Sequence, residues 1–485
     1  MNNNFEKFNL NKEIIKSLKI LNYRVPSEVQ SKTIPELLKN KDVIVKSKTG
    51  SGKTASFAIP ICENIDTNNN SVQALVVVPT RELALQIKEE ISSIGRLKKI
   101  RCSAIFGKQP MKDQILELKQ RVHIVVATPG RMIDHIGRKT ISLDNLKYFI
   151  IDEADKMLNK GFIDDMESIF EKLPHKCTSG LFSATIDENI SLICNKYMIN
   201  PIYIDIKFDE KDLSKKQIIE KYINVTKENR YETLKNLIYS ESPYSLIIFA
   251  NKKDSVIDLY NKMRKDKFLV RQLHGDMSQE KRLYTIKDFK EHKFNIMICT
   301  DVASRGIHID DISLVINYNI PKDKENYVHR IGRTGRQNKF GKAITLVSKN
   351  EEKYLEEIEN YTNKKLYEIA EINKEEVNKG RVRFKEIESK LTKLRNDKKY
   401  EKDTNSEVTR IYLNAGKKKK IRVIDIVGTL SNIDGINNED IGVVEVQDLC
   451  SYVDLLNNKG NKFLKKYKEI SIKKKLVKVR KDNKN

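Results

Sequence analysis

The stretch that decides the fold of the N-terminal half is Ser47-Lys48-Thr49-Gly50-Ser51-Gly52-Lys53-Thr54, set between the strand-like run Val43-Ile44-Val45 and a helical stretch. Its glycines permit a tight turn whose backbone N–H groups surround phosphate, and the following helix N-terminus adds a favourable dipole. We expect Ser51, Gly52, Lys53 and Thr54 to form a nucleotide site. Lys53 would reach the β- and γ-phosphates and Thr54 would bind Mg²⁺.

A second candidate element is the acidic run Asp152-Glu153-Ala154-Asp155, which follows the apolar run Tyr148–Ile151. An acid at the end of a strand completes a nucleotide-hydrolysing site. Asp152 would hold Mg²⁺, directly or through water, and Glu153 would orient and deprotonate the attacking water. The alternative is an acidic helix N-terminus stabilised by the macrodipole. The upstream phosphate-binding loop favours the catalytic interpretation.

Composition and charge narrow the class of protein. The chain has 485 residues, with 39% hydrophobic and 33% charged residues, enough for roughly three domains. No apolar run approaches the ~18 residues of a transmembrane helix, and the N-terminal residues do not resemble a secretory signal. Six scattered cysteines without a CxxC pair fit neither a zinc site nor a disulfide framework. The net charge of +24 favours polyanionic partners, nucleic acid first, although a lysine-rich composition alone could produce it.

The hydrophobic pattern predicts an α/β protein with three folded units. Two α/β units with buried parallel strands are followed by a small unit of order βαββαβ, in which Phe463, Leu464, Tyr467 and Ile470 mark the second helix. The predicted boundaries are 1–205 for the first lobe, 206–215 for a linker, 216–365 for the second lobe, 366–405 for a charged helix or linker, 406–481 for the third domain and 482–485 for a tail.

The phosphate-binding loop and the acidic run occur together with further motifs in the order found in the DEAD-box RNA helicases. The chain resembles this family over residues 5 to about 350. The segment Asn22–Gln30 looks like the Q motif, with Phe5 upstream. The resemblance implies two RecA-like domains, with ATP and Mg²⁺ as cofactors. It implies that Gln30 pairs with the adenine edge, that Phe5 stacks on the base, and that Tyr23 lies in the same site.

Further motifs of the resemblance concern RNA and the coupling of RNA to the nucleotide. In the first lobe they imply RNA-backbone contacts that do not depend on sequence, and coupling through the SAT motif. The resemblance implies coupling through Ser183 and Thr185, and RNA contacts through Pro79, Thr80, Arg81, Gly107, Thr128, Pro129, Gly130 and Arg131.

Motifs of the second lobe complete the set. Phe249-Ala250-Asn251 lies at motif IV, the run 300–306 at motif V and the run 329–336 at motif VI. By this resemblance, Gln279, Arg282 and Thr300 would contact RNA. Asp301 is expected at the nucleotide and His329 in coupling. Arg333 and Arg336 are expected at the γ-phosphate, with Arg336 as the arginine finger, a role that contributes ~10³–10⁵ in rate.

Two positions depart from the family pattern. Gly107-Lys108 stands where the family has a glycine doublet, and a lysine there could add a phosphate contact. Ile307-His308 stands where motif V carries an acid that touches the ribose, with Asp310 nearby. The second departure concerns the ribose contact and leaves ATP use intact.

The third domain resembles the RRM-like RNA-binding domain of the DbpA/YxiN branch, whose members recognise a hairpin of large-subunit ribosomal RNA. Tyr412 and Tyr452 lie where two stacking aromatics of such a sheet would be, with Cys450 at the third position; each tyrosine could equally be a packing residue. Lys417–Lys420 and twelve Lys or Arg residues in 456–485 offer a basic surface for RNA.

These observations predict a monomeric cytoplasmic ATP-dependent RNA helicase that unwinds short duplexes. It would be targeted to a 23S rRNA hairpin and pre-50S particles in large-subunit assembly, without a membrane partner. Three alternatives stay open: a general RNA-remodelling helicase in cold adaptation or mRNA turnover, a non-hydrolysing RNA clamp, and a DNA helicase. ATP hydrolysis that is stimulated by RNA of any sequence would favour the general helicase. Absence of multiple ATP turnover would favour the clamp. Equal stimulation of ATP hydrolysis by single-stranded DNA would favour the DNA helicase.

Overall fold

The computed structural model describes residues 4–47, 51–158, 161–206, 218–301, 312–335, 340–401 and 408–482. The predicted linker 206–215 lies almost wholly outside these ranges. By its internal contacts the chain divides into two compact units. One contains residues 1–206 and 401–485, and the other contains residues 207–400.

The first lobe is a parallel seven-stranded sheet with helices on both faces, in the order β3-β4-β2-β5-β6-β1-β7. A 3₁₀ turn, Phe5–Phe8, precedes it. Its strands are β1 Val43–Lys46, β2 Ala74–Val77, β3 Cys102–Ile105, β4 Ile124–Ala127, β5 Tyr148–Asp152, β6 Thr178–Ser183 and β7 Ile202–Asp205. Its helices are α1 Lys12–Ile20, α2 Glu28–Leu38, α3 Lys53–Asn64, α4 Arg81–Ile94, α5 Met111–Leu118, α6 Pro129–Gly137, α7 Ala154–Leu158, α8 Ile163–Phe170 and α9 Glu188–Tyr197.

The central strands of this sheet are apolar on both faces because helices cover both sides. Alternate residues of β2 enter different cores, with Val76 in one apolar cluster and Leu75 and Val77 in the other. Continuous apolar runs of this kind are typical of buried parallel strands. In β2, β4 and β5 the polar side chains are only Tyr148 and Asp152, at the two ends of β5.

The second unit repeats the strand order of the first, although the two halves show no convincing sequence repeat. Its parallel sheet has the order β10-β11-β9-β12-β13-β8-β14. The strands are β8 Ile218–Asn224, β9 Leu246–Phe249, β10 Val270–Leu273, β11 Ile296–Cys299, β12 Leu314–Asn317, β13 Gly341–Val347 and β14 Tyr367–Glu368. The helices are α10 Arg230–Glu241, α11 Lys253–Lys265, α12 Gln279–Lys290, α13 Lys324–Ile331, α14 Glu352–Thr362 and α15 Lys374–Glu401, with a 3₁₀ turn at Lys349–Glu351.

The second unit continues past residue 365. Strand β14 pairs in parallel with β8 at the edge of the sheet. In α15, Phe384 is buried in the core beside Phe268 and Tyr239. A Cβ at Gly380 would lie 1.9 Å from the backbone oxygen of Tyr239, so glycine permits this close approach of α15 to α10.

The C-terminal domain is an antiparallel sheet of order β16-β17-β15-β19-β18 with two helices. Its strands are β15 Thr409–Leu413, β16 Ile441–Val446, β17 Ser451–Leu455, β18 Glu469–Ile472 and β19 Lys475–Lys481. Its helices are α16 Val423–Ser431 and α17 Lys459–Lys466, and 3₁₀ turns occur at Lys417–Lys419 and Asn438–Asp440.

One detail of the predicted βαββαβ order is wrong. The second helix ends at Lys466, and Ile470 lies in the additional strand β18. Lys473 and Lys474 both have positive φ, 51° and 60°, and form the two-residue turn of a β18–β19 hairpin. The sequence hid this hairpin because neither residue is the glycine or asparagine that such a turn favours.

No helix in the described ranges combines the length and apolar character needed to cross a membrane. The apolar residues of the longest helix, α15, are interrupted throughout by charged ones.

Candidate nucleotide and RNA site

The nucleotide-site motifs of the first lobe meet because their strands are neighbours. Strands β5, β6 and β1 are adjacent, and all three are parallel, so their carboxyl ends share one edge of the sheet. The backbone N–H of Ser47 donates to the carbonyl oxygen of Ser183 at 2.9 Å. The hydroxyl of Ser183 accepts from the backbone N–H of Asp155 at 3.1 Å. Ser183 therefore links the phosphate-binding loop to the acidic run.

The Q-motif segment contacts the phosphate-binding loop directly. Gln30 is 4% exposed and donates through Nε2 to the carbonyl oxygen of Gly52 at 3.2 Å. The hydroxyl of Ser27 donates to the carbonyl oxygen of Ser51 at 2.9 Å. The backbone N–H of Ser27 in turn donates to Oε1 of Gln30 at 2.9 Å. Sequence reasoning assigned Gln30 to adenine and missed Ser27.

The loop itself requires glycine at position 52. Gly52 has φ 93°, and a Cβ there would lie 2.6 Å from Nε2 of Gln30. Lys53 begins α3 with its side chain buried, and its ammonium donates to the carbonyl oxygen of Ser47 at 2.7 Å. A buried cation on a backbone carbonyl fits a phosphate ligand well, because charged hydrogen bonds to anions are the stronger ones.

Thr54 and Asp152 supply a hydroxyl and a carboxylate at the same sheet edge, and oxygen donors of this kind are what Mg²⁺ prefers. Asp152 is 3% exposed and accepts from the backbone N–H of Glu153 through Oδ1 at 3.0 Å. The donor set thus suits a magnesium–nucleotide ligand.

Glu153 is held in a strained position. It has φ 57°, a left-handed backbone conformation that is uncommon for a residue with a Cβ and costs roughly 1–2 kcal/mol. Its side chain is 3% exposed, and Oε1 accepts from the ammonium of Lys156 at 2.5 Å. Lys156, which sequence reasoning did not select, therefore places a positive charge next to the expected base.

The expected base-stacking residue is buried in this structure. Phe5 is 3% exposed and packs edge-on against Phe8 and Tyr23, each with a centroid distance of 6.1 Å. The hydroxyl of Tyr23 donates to Glu90 at 3.0 Å. Stacking of Phe5 on adenine stays a prediction, and it would require the ring to leave these contacts.

The expected RNA contacts of the first lobe lie at the carboxyl ends of β2, β3 and β4, on the same sheet edge. The Thr80 hydroxyl accepts from the backbone N–H of Leu83 at 3.2 Å and caps α4, which begins at Arg81 and follows Pro79. Thr128 precedes α6, which begins Pro129-Gly130-Arg131. Two helix N-termini at one edge favour phosphate.

Near these helices, Gly107 lies with its Cβ position 3.5 Å from the Arg81 guanidinium. Lys108 is exposed with φ 66°, so it takes the backbone conformation that the family's second glycine would adopt without strain. Arg131 donates to the carbonyl oxygen of Gln109 and to Oε1 of Gln114, both at 3.0 Å. Thr185 is exposed.

A buried arginine that sequence reasoning missed organises the motifs of the second unit. Arg330 is 1% exposed and forms a fork with Asp301, at 2.5 and 2.6 Å. It also donates to Oδ1 of Asn251 and to the carbonyl oxygen of Asn319, both at 2.8 Å. Motifs IV, V and VI thus converge on one guanidinium. The signal that could have identified Arg330 is its position within motif VI, between His329 and Arg333.

The remaining candidates of the second unit are partly described. Arg333 is half-buried, His329 is exposed, and Thr300 is buried at the end of β11. Arg282 lies half-buried on α12. The side chain of Gln279, all of Arg336, and the departures His308 and Asp310 lie outside the described residues.

The C-terminal domain carries a mixed aromatic and basic sheet face. Tyr412 and Tyr452 are register partners, half-exposed and edge-on at 5.7 Å, so both lie on the outer face of the sheet. The guanidinium of Arg480 lies 4.1 Å from the centroid of the Tyr412 ring, and that of Arg410 lies 5.2 Å from Tyr452. Surface aromatics backed by arginine can stack on bases.

The structure also brings two lysine clusters together. The ammonium of Lys475 donates to the carbonyl oxygen of Lys419 at 2.8 Å, and that of Lys473 donates to Lys420 at 3.3 Å. The run Lys417–Lys420 and the β18–β19 turn therefore form one basic surface, a feature suited to a phosphate backbone.

Comparison with known families agrees with this geometry. Residues 27–193 match the DEAD/DEAH box helicase family, residues 229–338 the helicase conserved C-terminal domain, and residues 410–481 the DbpA RNA binding domain. Fold and site together define an ATP-dependent RNA helicase of the DEAD-box class, in superfamily 2.

The relatives specify the branch. The chain is 44% identical to the ATP-dependent RNA helicase DbpA of Bacillus subtilis, covering 99% of both chains. It is 40% identical to the DEAD-box ATP-dependent RNA helicase CshA of Geobacillus kaustophilus, covering 78% of this chain and 81% of the relative. The chain therefore belongs to the DbpA-type DEAD-box RNA helicases.

Solved structures show the same helicase fold. Dbp5 of S. cerevisiae bound to RNA and ADP BeF3 matches with a TM-score of 0.65 at 29% identity, covering 81% of this chain and 99% of that chain. Mss116p bound to ssRNA and AMP-PNP matches with a TM-score of 0.64 at 31% identity, covering 77% and 80%.

Proposed function

We propose that this helicase acts in the cytoplasm as a monomer on large-subunit rRNA. It would locally unwind short duplexes in pre-50S particles, and the C-terminal domain would bind a 23S rRNA hairpin. The observation that carries this proposal is the full-length similarity to DbpA, including a C-terminal domain that matches the DbpA RNA binding domain. The basic surface around Lys419 and Lys475 supplies the charge that such binding needs.

We assign the hydrolytic roles to residues of the first lobe and of motif VI. Lys53 binds the phosphates, Thr54 and Asp152 hold Mg²⁺, and Glu153 positions and deprotonates the attacking water. Bound Mg²⁺ would neutralise phosphate charge. Arg333 and Arg336 stabilise the negative charge that develops on the γ-phosphate.

Two substitutions test the ATP site. Lys53→Ala should abolish RNA-stimulated ATP hydrolysis, and normal turnover would remove the phosphate-binding role. Glu153→Gln should retain ATP-dependent RNA binding while losing turnover. Unchanged ATP hydrolysis in Glu153→Gln would exclude Glu153 as the base.

A three-RNA assay tests the target. Steady-state ATP hydrolysis is measured at moderate salt with an rRNA fragment containing the peptidyl-transferase-centre hairpin, a scrambled hairpin and poly(U). The full chain and a chain lacking residues 406–485 are compared, and poly(U) stimulation of the shortened chain confirms that the helicase lobes are intact. Preferential stimulation by the rRNA fragment, lost with the C-terminal domain, supports targeting. Equal stimulation by all three RNAs supports the general RNA-remodelling alternative.

A further inference from the structure

The C-terminal domain contacts the first lobe through charged side chains, within the same compact unit. Arg96, in the loop between α4 and β3, forms a bidentate pair with Asp454 of β17, at 3.0 and 3.1 Å. The ammonium of Lys99 reaches the carbonyl oxygen of Asn438 at 3.4 Å. Nearby, Gln120 donates to the carbonyl oxygen of Val446 at 3.4 Å. These contacts lie along the β16–β17 half of the sheet, from Asn438 just before β16 to Val446 at its last residue.

The burial of Asp454 is the unusual feature of this contact. Along β17, side chains alternate between the core and the outer face, and Asp454 shares the outer face with the half-exposed Tyr452. Even so, the Asp454 side chain is only 2% exposed. A carboxylate on an outer face reaches that burial when something covers it, and Arg96 is part of the cover. Arg410 of the same domain lies 3.6 Å away as a second cation.

Charge complementarity extends beyond the central pair. The first lobe contributes Lys88, Arg96, Lys99 and Arg101, while the C-terminal domain contributes Glu439, Asp440, Glu445 and Asp454. Burial raises the pKa of Glu445, but Arg410, and then Lys88 and Arg101, hold it below its usual value. An acidic patch facing a basic one is notable in a chain of net charge +24.

The other half of the sheet remains open. A pocket whose lining includes Tyr412, three cations (Lys468, Lys478 and Arg480) and one acid (Glu469) lies over β15, β19 and β18, on the side away from β16. The contact with the first lobe therefore covers the acidic end of the sheet face and leaves its basic, aromatic end accessible.

We propose that this contact is a docking interface by which the C-terminal domain binds the first lobe of its own chain, through Arg96 and its basic neighbours on one side and Asp454 on the other. Docking holds the open, basic half of the sheet at a defined position relative to the first lobe. The C-terminal domain is then oriented by the first lobe, although the chain enters the domain from α15 of the second unit.

The test measures a distance in the full chain. Spin labels are attached at two exposed positions, through Asn68→Cys in the first lobe and Asn432→Cys in the C-terminal domain. The distribution of distances between the two labels is recorded by double electron–electron resonance. The two cysteines that are not fully buried, Cys177 and Cys450, are first replaced by serine.

At low salt a narrow distribution is expected, and it should broaden as salt rises toward about 1 M, where charge interactions are screened within ~3 Å. Arg96→Glu should abolish the narrow component, because it places an acid against Asp454. Asp454→Asn should also weaken it, which provides a second variant on the opposite side. Arg138→Glu, the same charge reversal at an exposed first-lobe position, should leave the distribution unchanged.

A broad distribution in the unsubstituted chain at low salt would overturn the proposal. So would a narrow distribution that survives both Arg96→Glu and Asp454→Asn. Helicase activity does not enter either outcome, so the test is independent of the proposed rRNA target.

Discussion

The side-chain amide of Gln30 donates a hydrogen bond to the carbonyl oxygen of Gly52, at 3.2 Å. The contact joins the Q-motif helix to the phosphate-binding loop at Gly52, the residue just before α3, which has φ 93°. The hydrogen bond therefore allows Gln30 to position the backbone of Gly52 directly.

Gln30→Ala should raise the KM for ATP about tenfold, since losing a hydrogen bond that orders the loop costs ~1–1.5 kcal/mol. Steady-state kinetics with ATP and GTP separate two roles. If Gln30 acts only on the loop, both KM values rise; if it also pairs with adenine, discrimination between ATP and GTP falls. Gln86→Ala on α4 is the matched control. An unchanged KM for both nucleotides would contradict both roles.

Arg330→Lys should destabilise the second unit by about 3 kcal/mol, despite keeping the charge. Lysine cannot reproduce the fork to Asp301 while also reaching Asn251, and a broken buried ion pair costs ~3–5 kcal/mol. Urea unfolding followed by circular dichroism measures the change. Arg264→Lys, on the exposed face of α11, should change stability by less than about 0.5 kcal/mol. Equal effects of the two substitutions would show that the hydrogen bonds of Arg330 to Asp301 and Asn251 do not stabilise the second unit.

His123 should make the first lobe sensitive to acid. Burial, and then Arg121 and Arg101, lower its pKa from 6.5 to about 4. Its Nδ1 accepts from the backbone N–H of Arg101 at 3.0 Å, and its Nε2 has no hydrogen-bond partner among the described residues. The folded state therefore binds this proton less readily than the unfolded state.

Because the unfolded chain binds more protons between pH 4 and 6.5, stability should rise with pH across that window. The lowered pKa corresponds to roughly 3–4 kcal/mol at most. Urea unfolding at several pH values compares the unsubstituted chain with His123→Gln, which should show a shallower loss of stability below pH 6.5. Parallel profiles for the two chains would rule out this contribution.

Lys474→Gly should stabilise the β18–β19 hairpin by about 0.5–1 kcal/mol. Lys474 has φ 60°, a conformation that glycine adopts without the cost borne by a residue with a Cβ. Hydrogen exchange of the β19 amides reports the local free energy. Lys478→Gly, within β19, should change it in the opposite direction, because glycine weakens a strand interior. A loss of protection in Lys474→Gly would argue against strain at the turn.

The sequence predicted elements whose signal is local. Buried parallel strands appeared as continuous apolar runs, and the loop Ser47–Thr54 appeared as a glycine pattern between strand and helix. The β18–β19 hairpin was missed because its turn residues are lysines, and the pattern from Phe463 to Ile470 fits a helix as well as a helix followed by a strand. Boundaries near residue 365 were equally hidden, since Phe384 joins the second core from a helix that is mostly charged.

By itself, the sequence determined the class of the protein, because helicase motifs are short runs whose chemistry depends on residue type and spacing. It also determined the order of the domains. Only the tertiary structure decided which distant residues meet: Gln30 with Gly52, Ser183 with the acidic run, Arg330 with Asp301, and Arg96 with Asp454. These pairs depend on strand order, helix packing and domain contact, and such long-range geometry leaves no mark in the local spacing of residues.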